Sequence, residues 1–228
     1  MAITYTSDNV DRAHGSGFFD ITSGSLSIAV DDIILALWAV EDNTNVGVVS
    51  ISNSGTALTW NLIAQTNTGS NCKVSAWWAI SAHNENRTVT VNHTLDNTKA
   101  TKLCCHVLTG AHLTNPVPPG NVFSGTGATD VSQSITPTAS GSALWMAAAD
   151  WAATNTFAAI ANCTLDSTTH AGGFYTATVI RPTTQPRTDA NAFTIGETDT
   201  AGTIAWIAFE VQAAPDAAHT PAIAWITA

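Results

Sequence analysis

Short strand-length segments, apolar or alternating, recur between clusters of Gly, Asn, Ser, Thr and Asp, and no stretch keeps a helical apolar period for long. Side chains alternate faces every two residues in a strand, so a pattern that returns to turn residues every few positions selects pleated structure over helix. Strands are expected at 3–6, 25–30, 33–40, 46–52, 60–66, 73–81, 87–92 and 102–108, then at 131–135, 143–151, 174–180, 192–195 and 203–211. The Ala-rich stretches at 147–149 and 158–161 are too short to build a long helix. The expected fold class is all-β: an antiparallel β-sandwich, jelly-roll-like, with little helix.

A weak internal duplication refines this. Leu26 to Trp38 and Ile135 to Met146 share a plan of short strand, tight turn and apolar strand. The elements that follow keep the same order: 74–79 with 174–179, 88–91 with 192–195, and 103–108 with 204–211. Halves of about 100 residues cover both of their faces poorly. Two such halves packed face to face would close one core. The expected organisation is an N-terminal arm and first strand over 1–24, one sandwich over 25–213 made of halves 25–112 and 121–213, and a tail over 214–228. Pro116-Val117-Pro118-Pro119-Gly120 reads as the extended crossover between the halves.

Charge narrows the class of partner. Seven Lys and Arg against seventeen Asp and Glu leave a formal charge of −10 with no basic cluster, which disfavours direct contact with nucleic acid. The N-terminal Met1-Ala2-Ile3-Thr4-Tyr5-Thr6 has neither the basic nor the apolar region of a secretory signal, so synthesis in a cytoplasm is expected. No apolar run approaches membrane-spanning length. Cys72, Cys104, Cys105 and Cys163 match neither a zinc knuckle nor a redox motif, and read as reduced thiols. Adjacent Cys104 and Cys105 should point to opposite faces of their strand.

A search for chemistry leaves catalytic, metal and cofactor sites empty. The seven histidines never form a helix-borne ligand pair. His93 and His106, on neighbouring strands with Cys104 or Cys105 beside them, would permit zinc in principle, but no ligand spacing supports it. A Gly-x-Ser-x-Gly elbow is absent, and the carboxylates flank turns, as in Asp31-Asp32. No enzymatic activity is expected.

Eight tryptophans are many for 228 residues. Trp38, Trp77, Trp145 and Trp206 lie in the most apolar strands and read as core. Trp78, facing opposite to Trp77, together with Trp151 and Trp225, are interface candidates, as are Ile226 in the apolar tail and Ile3, Tyr5 and Arg12 in the N-terminal arm. Exposed aromatic platforms also bind sugars. The alternative function is therefore a carbohydrate- or receptor-binding module using Trp78 or Trp151.

Val30-Asp31-Asp32-Ile33-Ile34-Leu35-Ala36-Leu37-Trp38, then Thr56-Ala57-Leu58-Thr59-Trp60-Asn61-Leu62 and Val74-Ser75-Ala76-Trp77-Trp78-Ala79, resemble a β-sandwich module of tailed-bacteriophage virion proteins. Val107-Leu108-Thr109-Gly110-Ala111 looks like that module's strand end. The likeness covers most of residues 25–212, and the absence of a stalk segment makes the chain most similar to capsid decoration, or cement, proteins. The resemblance implies a non-enzymatic structural protein of the virion capsid surface, a homotrimer with the major capsid protein as partner and without a cofactor; its alternative is a carbohydrate- or receptor-binding module of a phage tail or cell surface.

Overall fold

The computed structural model describes residues 1–12, 20–41, 49–68, 72–93, 101–150, 158–171, 175–198 and 202–215. The first half contains β1 (Thr4–Arg12), β2 (Asp20–Thr22), β3 (Leu26–Ile28), β4 (Ile33–Glu41), β5 (Val49–Asn53), β6 (Asn61–Asn67), β7 (Cys72–Ile80), β8 (Glu85–Arg87), β9 (Val89–His93) and β10 (Thr101–Thr109). The second contains β11 (Val122–Gly127), β12 (Val131–Ile135), β13 (Ala143–Asp150), β14 (Ala158–Ala159), β15 (Cys163–Ala171), β16 (Tyr175–Pro182), β17 (Phe193–Thr198) and β18 (Ile204–Val211). A 3-10 turn, Pro119–Asn121, lies at the end of the crossover.

The duplication is written into the sheet order. A five-stranded sheet β1-β10-β4-β7-β6 backs onto β2-β9-β5 in the first half, and β11-β18-β13-β16-β15 backs onto β12-β17-β14 in the second. Setting aside the small β3-β8 ribbon, both halves run first–last–third–sixth–fifth against second–seventh–fourth. Apart from the edge placement of the fifth strand, this is the Greek-key winding of a jelly roll. The fold is all-β and antiparallel, as the segment rhythm requires.

Burial explains why the central strands are apolar without interruption. In β4, Ile33, Leu35, Leu37 and Ala39 face a core shared by the two halves, while Ile34, Ala36, Trp38 and Val40 face a core internal to the first half. In β13, Ala143, Trp145, Ala147 and Ala149 face the shared core, while Leu144, Met146 and Ala148 face the second half's own. A strand covered on both faces has no wet side and so loses its alternation. Cys104 joins the shared core and Cys105 the first half's core, on opposite faces of β10.

The layers are thus four sheets and three cores. Each half brings enough strands to fold over itself and still presents an apolar five-stranded sheet to its neighbour. Ile3 in the shared core and Ile21 in the first half's own core show that these cores also draw on residues before 25. Residues 4–12 form the first strand: β1 pairs along its whole length with β10, Thr4 with Thr109 through Arg12 with Thr101. Four described strands, β2, β11, β14 and β15, lie where the sequence pattern gave no signal. β11 is interrupted by Gly125 and Gly127, and β15 is mostly Ser, Thr and other polar residues.

Backbone bonds stitch the halves at one end. Ile3 N–H donates to Gly141 O at 3.1 Å, His112 N–H to Gln212 O at 2.9 Å and Ala214 N–H to Gly110 O at 2.8 Å. Gly141 has φ +87°, and a Cβ there would come within 3.0 Å of Ala2 Cα, so this crossing favours glycine. Farther along the shared layer, the Cys72 thiol reaches the second half's Ala149 O at 3.2 Å and Thr203 O at 3.1 Å.

Candidate functional site: a polar seam and two surface grooves

The densest set of chemically active side chains lies in the seam between the halves. Pairing of Ser7 with His106 on β1 and β10 sets those side chains next to each other, and Ser7 Oγ is 2.9 Å from His106 Nδ1. From the second half, Asp166 sits at the irregularity between Leu165 and Ser167 where β15 shifts register against β16. A bulge re-aims the extra side chain. Asp166 accepts a hydrogen bond from Arg181 Nε at 2.5 Å, and its other oxygen is 3.8 Å from His106 Nε2. Tyr5 closes the cluster edge-on to both His106 and Trp145, at centroid distances of 5.9 and 5.7 Å, with the Arg181 guanidinium 5.7 Å from its ring.

These residues include the types of a Ser–His–Asp relay, but their geometry is not that of one. His106 is 0% exposed, and burial, opposed by the Asp166 charge, pushes its pKa down to about 4. An imidazole that is neutral and weakly basic near neutral pH is a poor general base, and the 3.8 Å to Asp166 exceeds a hydrogen bond. With the proton on Nε2, facing Asp166, Nδ1 accepts from the Ser7 hydroxyl. Burial also raises the Tyr5 phenol. The cluster holds the halves in register.

The suggested His93–His106 metal pair is separated by a sheet. His93 stacks on Trp38 in the first half's core at 5.6 Å, whereas His106 contacts Trp145 in the seam at 5.3 Å. Among the described residues no three His, Cys, Asp or Glu side chains converge as metal ligands. Asp32, read from sequence as a turn residue, is a buried staple: it accepts from Ala29 N–H at 2.8 Å and from the Thr109 hydroxyl at 2.6 Å. Asp31, beside it, takes φ +68°.

Of the grooves formed by the described residues, two border partly or largely exposed apolar side chains. One, of about 500 Å³, is bordered by Val30, Asp32, Gly110, Leu113, Ala214 and Pro215. Val30 and Leu113 are 47% and 41% exposed, among the few large apolar side chains left in solvent. The Met1 ammonium donates to Ala214 O at 3.0 Å, so residue 1 and the segment that follows β18 meet beside this groove. The second groove, of about 270 Å³, is bordered by Leu58, Thr59, Asn61, Trp78, Ile80 and His83.

The interface candidates separate. Ile3 is fully buried in the shared core by its own chain, so it is not available on the surface. Tyr5 is half-buried in the seam, and Trp78 is half-buried beside its groove. Arg12 ends β1, with its side chain outside the described set; Trp151, Trp225 and Ile226 lie outside the described residues. Trp38, Trp77 and Trp145 are buried as the apolar strands require, while Trp206 is partly exposed, packed against the second half's core. Sequence reasoning missed Ser7, Asp166 and Arg181. For Asp166 and Arg181 the duplication held a usable signal, since β6 in the first half demands a counterpart before β16. No helix among the described residues is long and apolar enough to cross a membrane. No protein-family model, curated protein or solved structure matches the chain.

Proposed function

We propose that the chain is a non-enzymatic structural protein of a virion, a capsid decoration or cement protein that acts as a homotrimer on the assembled shell of the major capsid protein. The observation that carries this reading is the groove flanked by Val30 and Leu113, an exposed apolar surface at the end where the halves are stitched together. Exposed apolar surface of this kind favours a protein partner. The seam supports the same reading, because its titratable groups are committed to joining two sandwiches. Jelly rolls occur in viral capsid and lectin domains, which agrees by analogy of fold alone. A protein that binds the assembled lattice and not its free subunits stabilises the lattice by mass action, and many copies add up.

The test is occupancy on purified shells of the virus that encodes the protein. Leu113→Asp and a chain ending at Pro215 should both lower occupancy, and the free protein should have a mass near three times its 23.7 kDa. Unchanged occupancy in both variants overturns the docking reading. A monomer at micromolar concentration overturns the trimer.

A further inference from the structure

We propose that the Trp78 groove is a binding site for a neutral saccharide, an activity beyond docking on a shell. Of the described tryptophans, Trp38, Trp77 and Trp145 are buried in the cores, and Trp60 packs on the first half's core with its Nε1 3.3 Å from Asn53 Oδ1. The Trp206 ring lies against Gly125, where a Cβ would come within 2.9 Å of it. Trp78 differs: its indole packs on the rim of the shared core and borders the open groove. The cause is register. Trp78 follows Trp77 on β7, so it faces the second half, but near the end of β7, where it and Ile80 remain only partly covered.

The surroundings fit a pyranose ring. Asn61 stands directly across the ladder from Trp78, so its amide lies beside the indole on the same face of the sheet. That amide makes one long contact, Nδ2 to Thr59 O at 3.3 Å. The loop carrying His83 is pinned by its backbone, with Ser81 Oγ donating to His83 O at 2.8 Å. An aromatic face with Ile80 and Leu58 beside it suits the C–H face of a sugar, while an amide, an imidazole and the Thr59 hydroxyl suit its hydroxyls. Among the described residues no Asp, Glu, Lys or Arg borders the groove. A neutral ligand is therefore favoured over an ionic one, and a chain of charge −10 further disfavours a nucleotide stacking on the same ring. The groove is small, so each site should bind weakly, on the order of millimolar, and gain strength from repetition.

The experiment uses the full chain with neutral trisaccharides built from glucose, galactose or N-acetylglucosamine, at about 10 mM. Tryptophan fluorescence and saturation-transfer NMR provide the readout. At least one trisaccharide should bind, Trp78→Ala should abolish binding, and Asn61→Ala should weaken it about tenfold. Failure of all three sugars overturns the proposal, as does full binding by a folded Trp78→Ala protein. If Trp78→Ala does not fold, unchanged affinity in Asn61→Ala overturns it instead. Preference for an acidic oligosaccharide or an oligonucleotide also counts against it. Shell occupancy should be unaffected by Asn61→Ala, because the two grooves share no bordering residue, so failure of this site and failure of the capsid reading are distinguishable.

Discussion

Tyr5 of the first strand and Trp145 of the second half meet edge to face across the joint, with ring centroids 5.7 Å apart and planes at 83°. The two residues are 140 positions apart in sequence, and their contact exists only because the halves pack through their five-stranded sheets. Aromatic pairs of this geometry add about 0.5–1.5 kcal/mol beyond the area they bury. A double-mutant cycle with Tyr5→Leu and Trp145→Leu, followed by denaturant unfolding, should return a coupling in that range. A coupling indistinguishable from zero would remove the pair from the joint's energetics.

Stability should depend on pH through His106. Its folded pKa is pushed down to about 4 by burial, against an ordinary 6.5. Between those values the unfolded chain binds the extra proton, so this contribution is complete above about pH 6.5 and is lost as pH falls toward 4, to a total of roughly 3 kcal/mol. The groups facing His106 in that window are Asp166, Arg181 and Tyr5. His106→Gln should flatten this part of the pH–stability curve. An unaltered curve would mean that other groups govern it.

The cysteines should differ in reactivity. Burial pushes the Cys72 thiol up to about 11 and also raises Cys163, but Cys163 is partly exposed whereas Cys72, Cys104 and Cys105 are buried. Thiol reagents attack accessible thiolates. Mass spectrometry after limited labelling of native protein should find Cys163 modified first and the other three only after denaturation. Early modification of Cys104 or Cys105 would contradict the layered cores.

Glu210 is a buried carboxylate with a structural task. It is 0% exposed and accepts from Thr138 N–H at 2.9 Å, from the Thr138 hydroxyl at 2.8 Å and from Asn121 Nδ2 at 2.6 Å. Glu210→Ala strands these donors and should cost at least about 1–3 kcal/mol in unfolding free energy, with Glu210→Gln costing less because one acceptor survives. Equal costs for the two variants would show that packing dominates over the hydrogen bonds.

The sequence by itself determined most of the strands, their repetition and the alternate facing of neighbouring residues along them. Alternation along Ile33 to Val40 is hidden because both faces are apolar, yet an unbroken run of that length already says that the strand is covered on both sides, and the opposite facing of Cys104 and Cys105 follows from the pleat alone. What covered each face was decided by tertiary structure. Ile3 looked like an adhesive residue of an arm and became core, because β1 pairs along its whole length with β10 and the residues just before it, Met1 and Ala2, pass over Gly141. Asp166 enters the seam through a local shift in register, and Trp78 stays partly open because the second half covers it only in part. Pattern fixes which side of a strand a residue occupies; where a neighbouring sheet begins and ends depends on contacts between residues more than a hundred positions apart.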